Sequence, residues 1–212
     1  MPSLKALRIS ATPPIRSRRT VSPMDDFHGP ILETERLRLR PPRESDFDGY
    51  AELCADPEVN RHLLRGTFTP EQAWRHLAFL VGHWVFRGCG MWVLEEKATG
   101  AFAGITGFAN PAGWPGFELA WQLLPRFWGR GYATEGARAA LAYAFTALHQ
   151  DRVISLIQPE NHASIRVAER LGESLQGRTE MVGKELLIYG IDRESCGQLT
   201  PQTGRVAAIS TV

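Results

Sequence analysis

The sequence predicts a mixed α/β (α+β) fold: one sheet with helices on its faces, in the order β-α-α-β-β-β-α-β-α-β. Three observations carry that expectation. Glu35-Arg-Leu-Arg-Leu-Arg40 alternates strictly between polar and apolar residues, the period of a half-buried strand. Thr69-Pro-Glu-Gln72 is a capping box with proline in its first turn, which starts a helix. Phe117 to Leu124 is an apolar run followed by Gly129-Arg-Gly131 and then a long alanine-rich stripe, the pattern of strand, turn and helix.

Pro41-Pro42 ends the first strand. Ser45 is expected to cap a helix carrying Phe47, Tyr50, Ala51 and Cys54 at helical spacing, stopping before Pro57. The helix begun at Thr69 has the stripe Trp74, Leu77, Ala78, Val81, Trp84 and Val85. Met91 to Glu95 and Ala101 to Phe108 are strands joined by a turn at Ala98-Thr-Gly100, and Asn110 to Gly116 is a loop. The stripe Ala137, Ala140, Leu141, Ala144, Phe145 and Leu148 marks the helix after the glycine turn. Arg152 to Ile157 reads as a strand, Asn161 caps a helix ending at Gly172, and a last strand near Glu185 to Ile191 pairs with a short one around Ser174 to Gln176.

Of 212 residues, 43% are hydrophobic and 22% charged, with a formal net charge of +1. That suits one domain whose core needs no disulfide or metal staple. It gives no global pull toward nucleic acid or a membrane surface, and no apolar run approaches a membrane span. Cys54, Cys89 and Cys196 show no metal spacing, so no metal is expected, and a reducing, cytoplasmic setting is. Residues 1–28 are expected to be a disordered extension, basic and proline-rich, with a transit peptide or an over-called start upstream of Met24 as alternatives. The domain is expected over 29–193, with a disordered tail over 194–212.

The turn after Leu124 carries the chemistry. Gly129 and Gly131 let the backbone approach a ligand closely, and the N–H groups and dipole of the following helix favour an anion. Arg126 and Arg130 add positive charge, so a pyrophosphate fits. A turn that merely joins strand to helix is the plainer alternative. It is neither a Walker loop, since no Gly-Lys-Ser/Thr follows, nor a Rossmann fingerprint, since no acid ends a second strand about 20 residues on.

Arg126-x-x-Gly129-x-Gly131 resembles the Gln/Arg-x-x-Gly-x-Gly/Ala motif of the GNAT N-acetyltransferase superfamily. The wider pattern resembles its RimJ/RimL-type branch. Thr34-Glu-Arg-Leu-Arg-Leu-Arg40, Phe117-Glu-Leu-Ala-Trp121, Trp128-Gly-Arg-Gly-Tyr-Ala-Thr-Glu135, and Asn161-x-x-Ser164 with Leu171-Gly172 follow the family's order and cover about residues 31 to 193.

The resemblance implies a GNAT-like, mostly antiparallel sheet and an enzyme passing an acetyl group directly from acetyl-CoA to an amine acceptor. The acceptor would be a protein N-terminus or a small amine. The enzyme would be a monomer or homodimer without nucleic acid, membrane or metal. The pantetheine arm would follow the strand ending at Leu123-Leu124, with a strand N–H near the thioester oxygen. The pyrophosphate would lie on the amides of Arg130, Gly131, Ala133 and Thr134, within the turn of Arg126 and Gly129. Tyr132 would pack on the cofactor or on the sheet. Glu118 is the candidate base, because a lone acid in an apolar strand is costly unless paired or set in a cleft; a solvent-facing residue is the alternative. Ser164 is the candidate acid beside the thiol, or only a bonding partner of the sulfur or a helix cap. Asn161 would cap its helix and bond the pantetheine amide. Glu135 would support the helix start. The acceptor loops are placed at about Asn60 to Thr69 and Asn110 to Gly116, where Arg61, His62 and Arg65 suit a neutral or acidic acceptor. A non-catalytic acyl-CoA-binding sensor is the alternative to an enzyme.

Overall fold

The computed structural model describes residues 29–196. The expected extension over 1–28 and all but the first three residues of the expected tail lie outside the described residues.

One eight-stranded sheet runs through the described chain: β1 (Leu32–Glu33), β2 (Leu37–Arg40), β3 (Met91–Glu96), β4 (Phe102–Ala109), β5 (Glu118–Leu123), β6 (Arg152–Ile157), β7 (Ser174–Met181) and β8 (Lys184–Asp192). Its spatial order is β1-β2-β3-β4-β5-β6-β8-β7. Every neighbouring pair is antiparallel except β5 with β6. The helices are α1 (Phe47–Ala55), α2 (Pro57–Asn60), α3 (Pro70–Arg87), α4 (Tyr132–Thr146), α5 (His162–Leu171) and α6 (Arg193–Cys196). The mixed, mostly antiparallel architecture is the one expected.

Leu37 and Leu39 go into the core as alternation requires. Arg40 follows them inward, because a 3-10 turn at Glu44–Asp46 folds over it. Its guanidinium meets Asp46 through two bonds of 2.7 and 2.8 Å and Glu95 through a third of 2.7 Å. Ser45 is not the cap of α1: it lies inside that turn, and Asp46 accepts the Arg43 backbone N–H instead. The proline after Asp56 starts a short extra helix, α2, whose Asn60 reaches back to the carbonyls of Leu53, Cys54 and Asp56.

The capping box at Thr69 and Gln72 forms as read. The inward face of α3 differs from the expected stripe. Ala73, Leu77, Leu80, His83 and Trp84 are buried, whereas Trp74 is 55% and Val85 64% exposed. His83 goes inward because both ring nitrogens find partners, the Cys89 carbonyl at 2.7 Å and the Asn110 N–H at 3.0 Å. Tyr132 has its ring beside Phe127 and its hydroxyl donating to Glu96 on β3 at 2.7 Å. The last hairpin is longer than the sequence suggests, pairing Ser174–Met181 with β8 from Lys184 to Gly190.

Candidate active site

The sheet opens between β5 and β6. These parallel strands share a single register pair, Glu118 with Ile154, although both run on beyond it. Below the pair, the Phe117 carbonyl takes the Ile154 N–H at 3.0 Å. Above it, Ser155 Oγ donates to the Leu119 carbonyl at 2.9 Å in place of a backbone bond. Residues alternate across the β4–β5 ladder, so Leu119, Trp121 and Leu123 turn their peptide groups toward the gap. The closed end of the gap is at Glu118. The open end lies where β5 runs into the glycine turn and β6 into the start of α5.

Glu118 is 8% exposed. Its carboxylate accepts the Trp114 indole N–H at 2.6 Å and the Leu156 backbone N–H. The loop reaches this position because Gly116 passes close over β6; a Cβ there would stand 2.8 Å from Ile154 Cδ1. Burial raises the Glu118 pKa from 4.5 to about 7, against the pull of its two hydrogen bonds. A carboxyl poised there exchanges a proton near neutrality, as a general base must.

A second buried acid lies beside the gap, and sequence reading missed it. Gly172 ends α5 in a left-handed conformation (φ 87°), and the Glu173 N–H returns to the Ala168 carbonyl at 3.0 Å. This turn drives Glu173 inward, where it is 4% exposed. Its Oε1 lies 3.1 Å from Ser155 Oγ, and its Oε2 has no hydrogen-bond partner among the described residues. Burial first, and then the charge of Glu118, raise its pKa to about 7. Ser155 has one proton and gives it to Leu119, so a protonated Glu173 can donate to Ser155 in turn.

These two acids fix a pH dependence of stability. Their folded pKa values lie above those of the unfolded chain, so folding binds protons. The contribution is complete below about 4.5 and is lost as pH rises through about 7. The loss is on the order of 3 kcal/mol for each acid. The urea midpoint is expected to fall from pH 5 to pH 8, and Glu173→Gln to remove about half of that fall. An unchanged slope in the variant contradicts the assignment.

At the open end, Gly129 (φ 74°) and Gly131 (φ 81°) are both left-handed, and Gly131 is the N-cap of α4 with no side-chain cap hydrogen bond, while the Arg36 guanidinium lies beside it and donates to the Arg130 carbonyl at 2.9 Å. The first intrahelical bond runs from the Glu135 N–H to the Gly131 carbonyl at 3.0 Å. The amides before Glu135, those of Ala133 and Thr134 included, precede that bond. Trp128 Nε1 donates to the Leu123 carbonyl at 2.7 Å and pins the turn to the end of β5; the Leu124 N–H bonds Ala103 at 3.0 Å. Arg126 pairs with Glu52 on α1, and Arg130 with Glu96 at 3.3 Å. The carboxylate of Glu135 accepts from Thr34 Oγ1 (2.6 Å), the Arg36 N–H (2.9 Å) and Arg36 Nε (2.7 Å), tying the first turn of α4 to the β1–β2 connection.

Asn161 caps α5, its Oδ1 accepting the Ser164 N–H at 3.1 Å. Ser164 is half-buried in the first turn of that helix. The structure therefore sets Glu118 at the closed end and the glycine turn, Asn161 and Ser164 around the open end. His76 bonds Tyr50 at 2.5 Å. Among the described residues no cluster of His, Cys, Asp or Glu could hold a metal ion, and no helix is long and apolar enough to cross a membrane.

A family model described as "Acetyltransferase (GNAT) domain" matches residues 36–173. The chain belongs to the GNAT acetyltransferase family. The acetyltransferase is similar to a crystal structure of the acetyltransferase from Agrobacterium tumefaciens: 32% identity, a TM-score of 0.70, and coverage of 76% of this chain and 94% of that one. It is 28% identical to p20 of Bacillus licheniformis, described as an uncharacterized N-acetyltransferase, over 69% of this chain and 83% of that protein. It shares its fold with RimL, a ribosomal L7/L12 α-N-protein acetyltransferase solved in complex with coenzyme A: 19% identity, TM-score 0.65, 76% of this chain and 97% of that one. The protein is therefore a GNAT acetyltransferase, and RimL shares its fold.

Proposed function

We propose that this enzyme takes acetyl-CoA as donor and acetylates a primary amine by direct attack, with Glu118 as general base. The single observation that carries this is the buried carboxyl of Glu118 at the closed end of the gap, one strand length from a helix N-terminus that no side chain caps by a hydrogen bond, at its open end. Six residues of strand separate Glu118 from Leu124, or roughly 20 Å. A long thioester arm anchored by its phosphates at the turn would lay its acyl carbon near the acid. The solved complex of RimL with coenzyme A, and p20's description as an N-acetyltransferase, support the reading.

In the step proposed, Glu118 takes a proton from the acceptor ammonium. The freed amine forms a C–N bond to the thioester carbon, an N–H of β5 stabilises the oxyanion, the C–S bond breaks, and the leaving thiolate takes the proton that the newly bonded nitrogen gives up, leaving a neutral amide and free coenzyme A. The amides of Arg130, Gly131, Ala133 and Thr134 hold the pyrophosphate, while Leu123 and Leu124 flank the arm. Asn161 bonds the pantetheine, and Ser164 bonds the sulfur. Arg126 and Arg130 exchange part of their pairing with Glu52 and Glu96 for the phosphates.

A thermal-shift comparison tests the binding half. Coenzyme A is expected to raise the melting temperature, and ATP and NAD to leave it unchanged. Gly131→Ala puts a side chain into a left-handed position, a strain of roughly 1–2 kcal/mol. It is expected to weaken coenzyme A by about tenfold. Equal protection by ATP, or undiminished coenzyme A binding in the variant, removes the turn from the site.

A further inference from the structure

Arg65 lies in the connection between α2 and α3, against the face of β5 that carries Glu118, Ala120 and Gln122. One of its Nη atoms donates to Gln122 Oε1 at 2.8 Å and the other reaches Cys54 Sγ at 3.7 Å. The guanidinium lies 4.5 Å from the centre of the Phe68 ring. Among the described residues, the other arginines that are buried or half-buried have carboxylate partners, Arg40 in Asp46 and Glu95, Arg193 in Asp151. Arg65 has none.

Its surroundings are neutral as well. His76 is held uncharged, its pKa lowered to about 4 by burial and then by the Arg65 charge, and burial keeps the Cys54 and Tyr50 protons in place. A guanidinium has five donors in a planar fork, and two neutral acceptors leave both its charge and part of that fork unanswered. A half-buried cation in such company gains from an anion that the chain itself does not supply.

We propose that Arg65 docks a carboxylate of the acceptor, so that the preferred acceptors are amines bearing a carboxylate several bonds from the nitrogen. The proposal rests on the amine-transfer reading above. Gln122 stands four residues from Glu118 on the same face, roughly 13 Å along the strand. An acceptor spanning from the base to the guanidinium is on the scale of a lysine or a short peptide, longer than glycine. Polyamines would meet the guanidinium with like charge.

The test uses ω-amino carboxylates of increasing chain length against the matching ω-amino amides, with acetyl-CoA. The wild type is expected to prefer the longer carboxylates by about tenfold in kcat/KM and to show no preference at the shortest lengths. Arg65→Gln is expected to abolish the preference through KM, leaving the amides and the thermal shift by coenzyme A unchanged. Arg65→Lys should keep part of the preference. Equal use of acids and amides by the wild type overturns this proposal alone. Weaker coenzyme A binding in Arg65→Gln also overturns it, because it gives the cation to the cofactor's phosphates. Equal losses on both series overturn it by making Arg65 a packing residue. Acetylation of neither series overturns it together with the transfer reading.

Discussion

Glu118→Gln is expected to lower kcat/KM at neutral pH by about a hundredfold or more, the contribution of a positioned general base, while coenzyme A still raises the melting temperature. Glutamine keeps the shape of the side chain and an oxygen that still accepts the Trp114 indole N–H, and the coenzyme A shift reports that the fold around the gap is retained. What is lost is the ability to take a proton. The pH profile identifies that loss. With Glu118 present, activity requires its ionised form and an ammonium acceptor. kcat/KM should rise with pH through about 7 and then level off. In the variant, only acceptor already deprotonated in solution can react, and an alkyl ammonium has a pKa near 10. The variant's rate should therefore climb steadily toward that value, and its deficit should shrink as pH increases. A deficit of the same size at every pH gives Glu118 a structural role instead.

Asp46→Ala is expected to cost about 3–5 kcal/mol of stability, the cost of leaving a buried charge without its partner. Arg40 and Asp46 are both buried, and the carboxylate also accepts the Arg43 backbone N–H at 2.7 Å. Truncation therefore strips the guanidinium of its two-pronged partner and opens the 3-10 turn. Glu95 keeps one bond to Arg40 Nε, which limits the loss. At about 2–4 °C per kcal/mol for a domain of this size, the melting temperature should fall by roughly 10 °C. Replacing both partners by apolar residues, Arg40→Met with Asp46→Leu, should recover much of the loss, because neither charge then remains buried. If the single variant unfolds at the wild-type urea midpoint, the pair contributes nothing and the account of this corner is wrong.

The order of strands and helices was legible because most elements carry a local signal: alternation at Leu37 and Leu39, the capping box at Thr69, the Asn161 cap and the Gly172 stop. Short elements without a period, β1 and α2, were not. The face of α3 was misread because apolar residues surround that helix. Phe79, Val85 and Phe86 stay exposed, while His83 goes inward to partners that only the fold supplies. Arg40 alternates like a surface residue and is buried by a turn six residues on.

The glycine turn could be read for the same local reason, and Glu118 stood out as an acid in an apolar strand. Glu173 and Ser155 did not. Their contact depends on α5 returning beneath the β5–β6 junction, and nothing near either residue announces it. Arg126 and Arg130 were readable as charges near the turn but not as partners of Glu52 and Glu96, which come from distant parts of the chain.

Acetyl transfer from acetyl-CoA to an amine is read at its product by mass spectrometry. The full chain is incubated with acetyl-CoA and a mixed panel of peptide N-termini, amino acids and alkylamines, beside Glu118→Gln. At least one amine is expected to gain a single acetyl group, with equal release of coenzyme A and a much reduced yield in the variant; this is the outcome of acetyl transfer. Acetyl-CoA consumption no faster than in the enzyme-free control, with no acetylated amine in the panel, would contradict it.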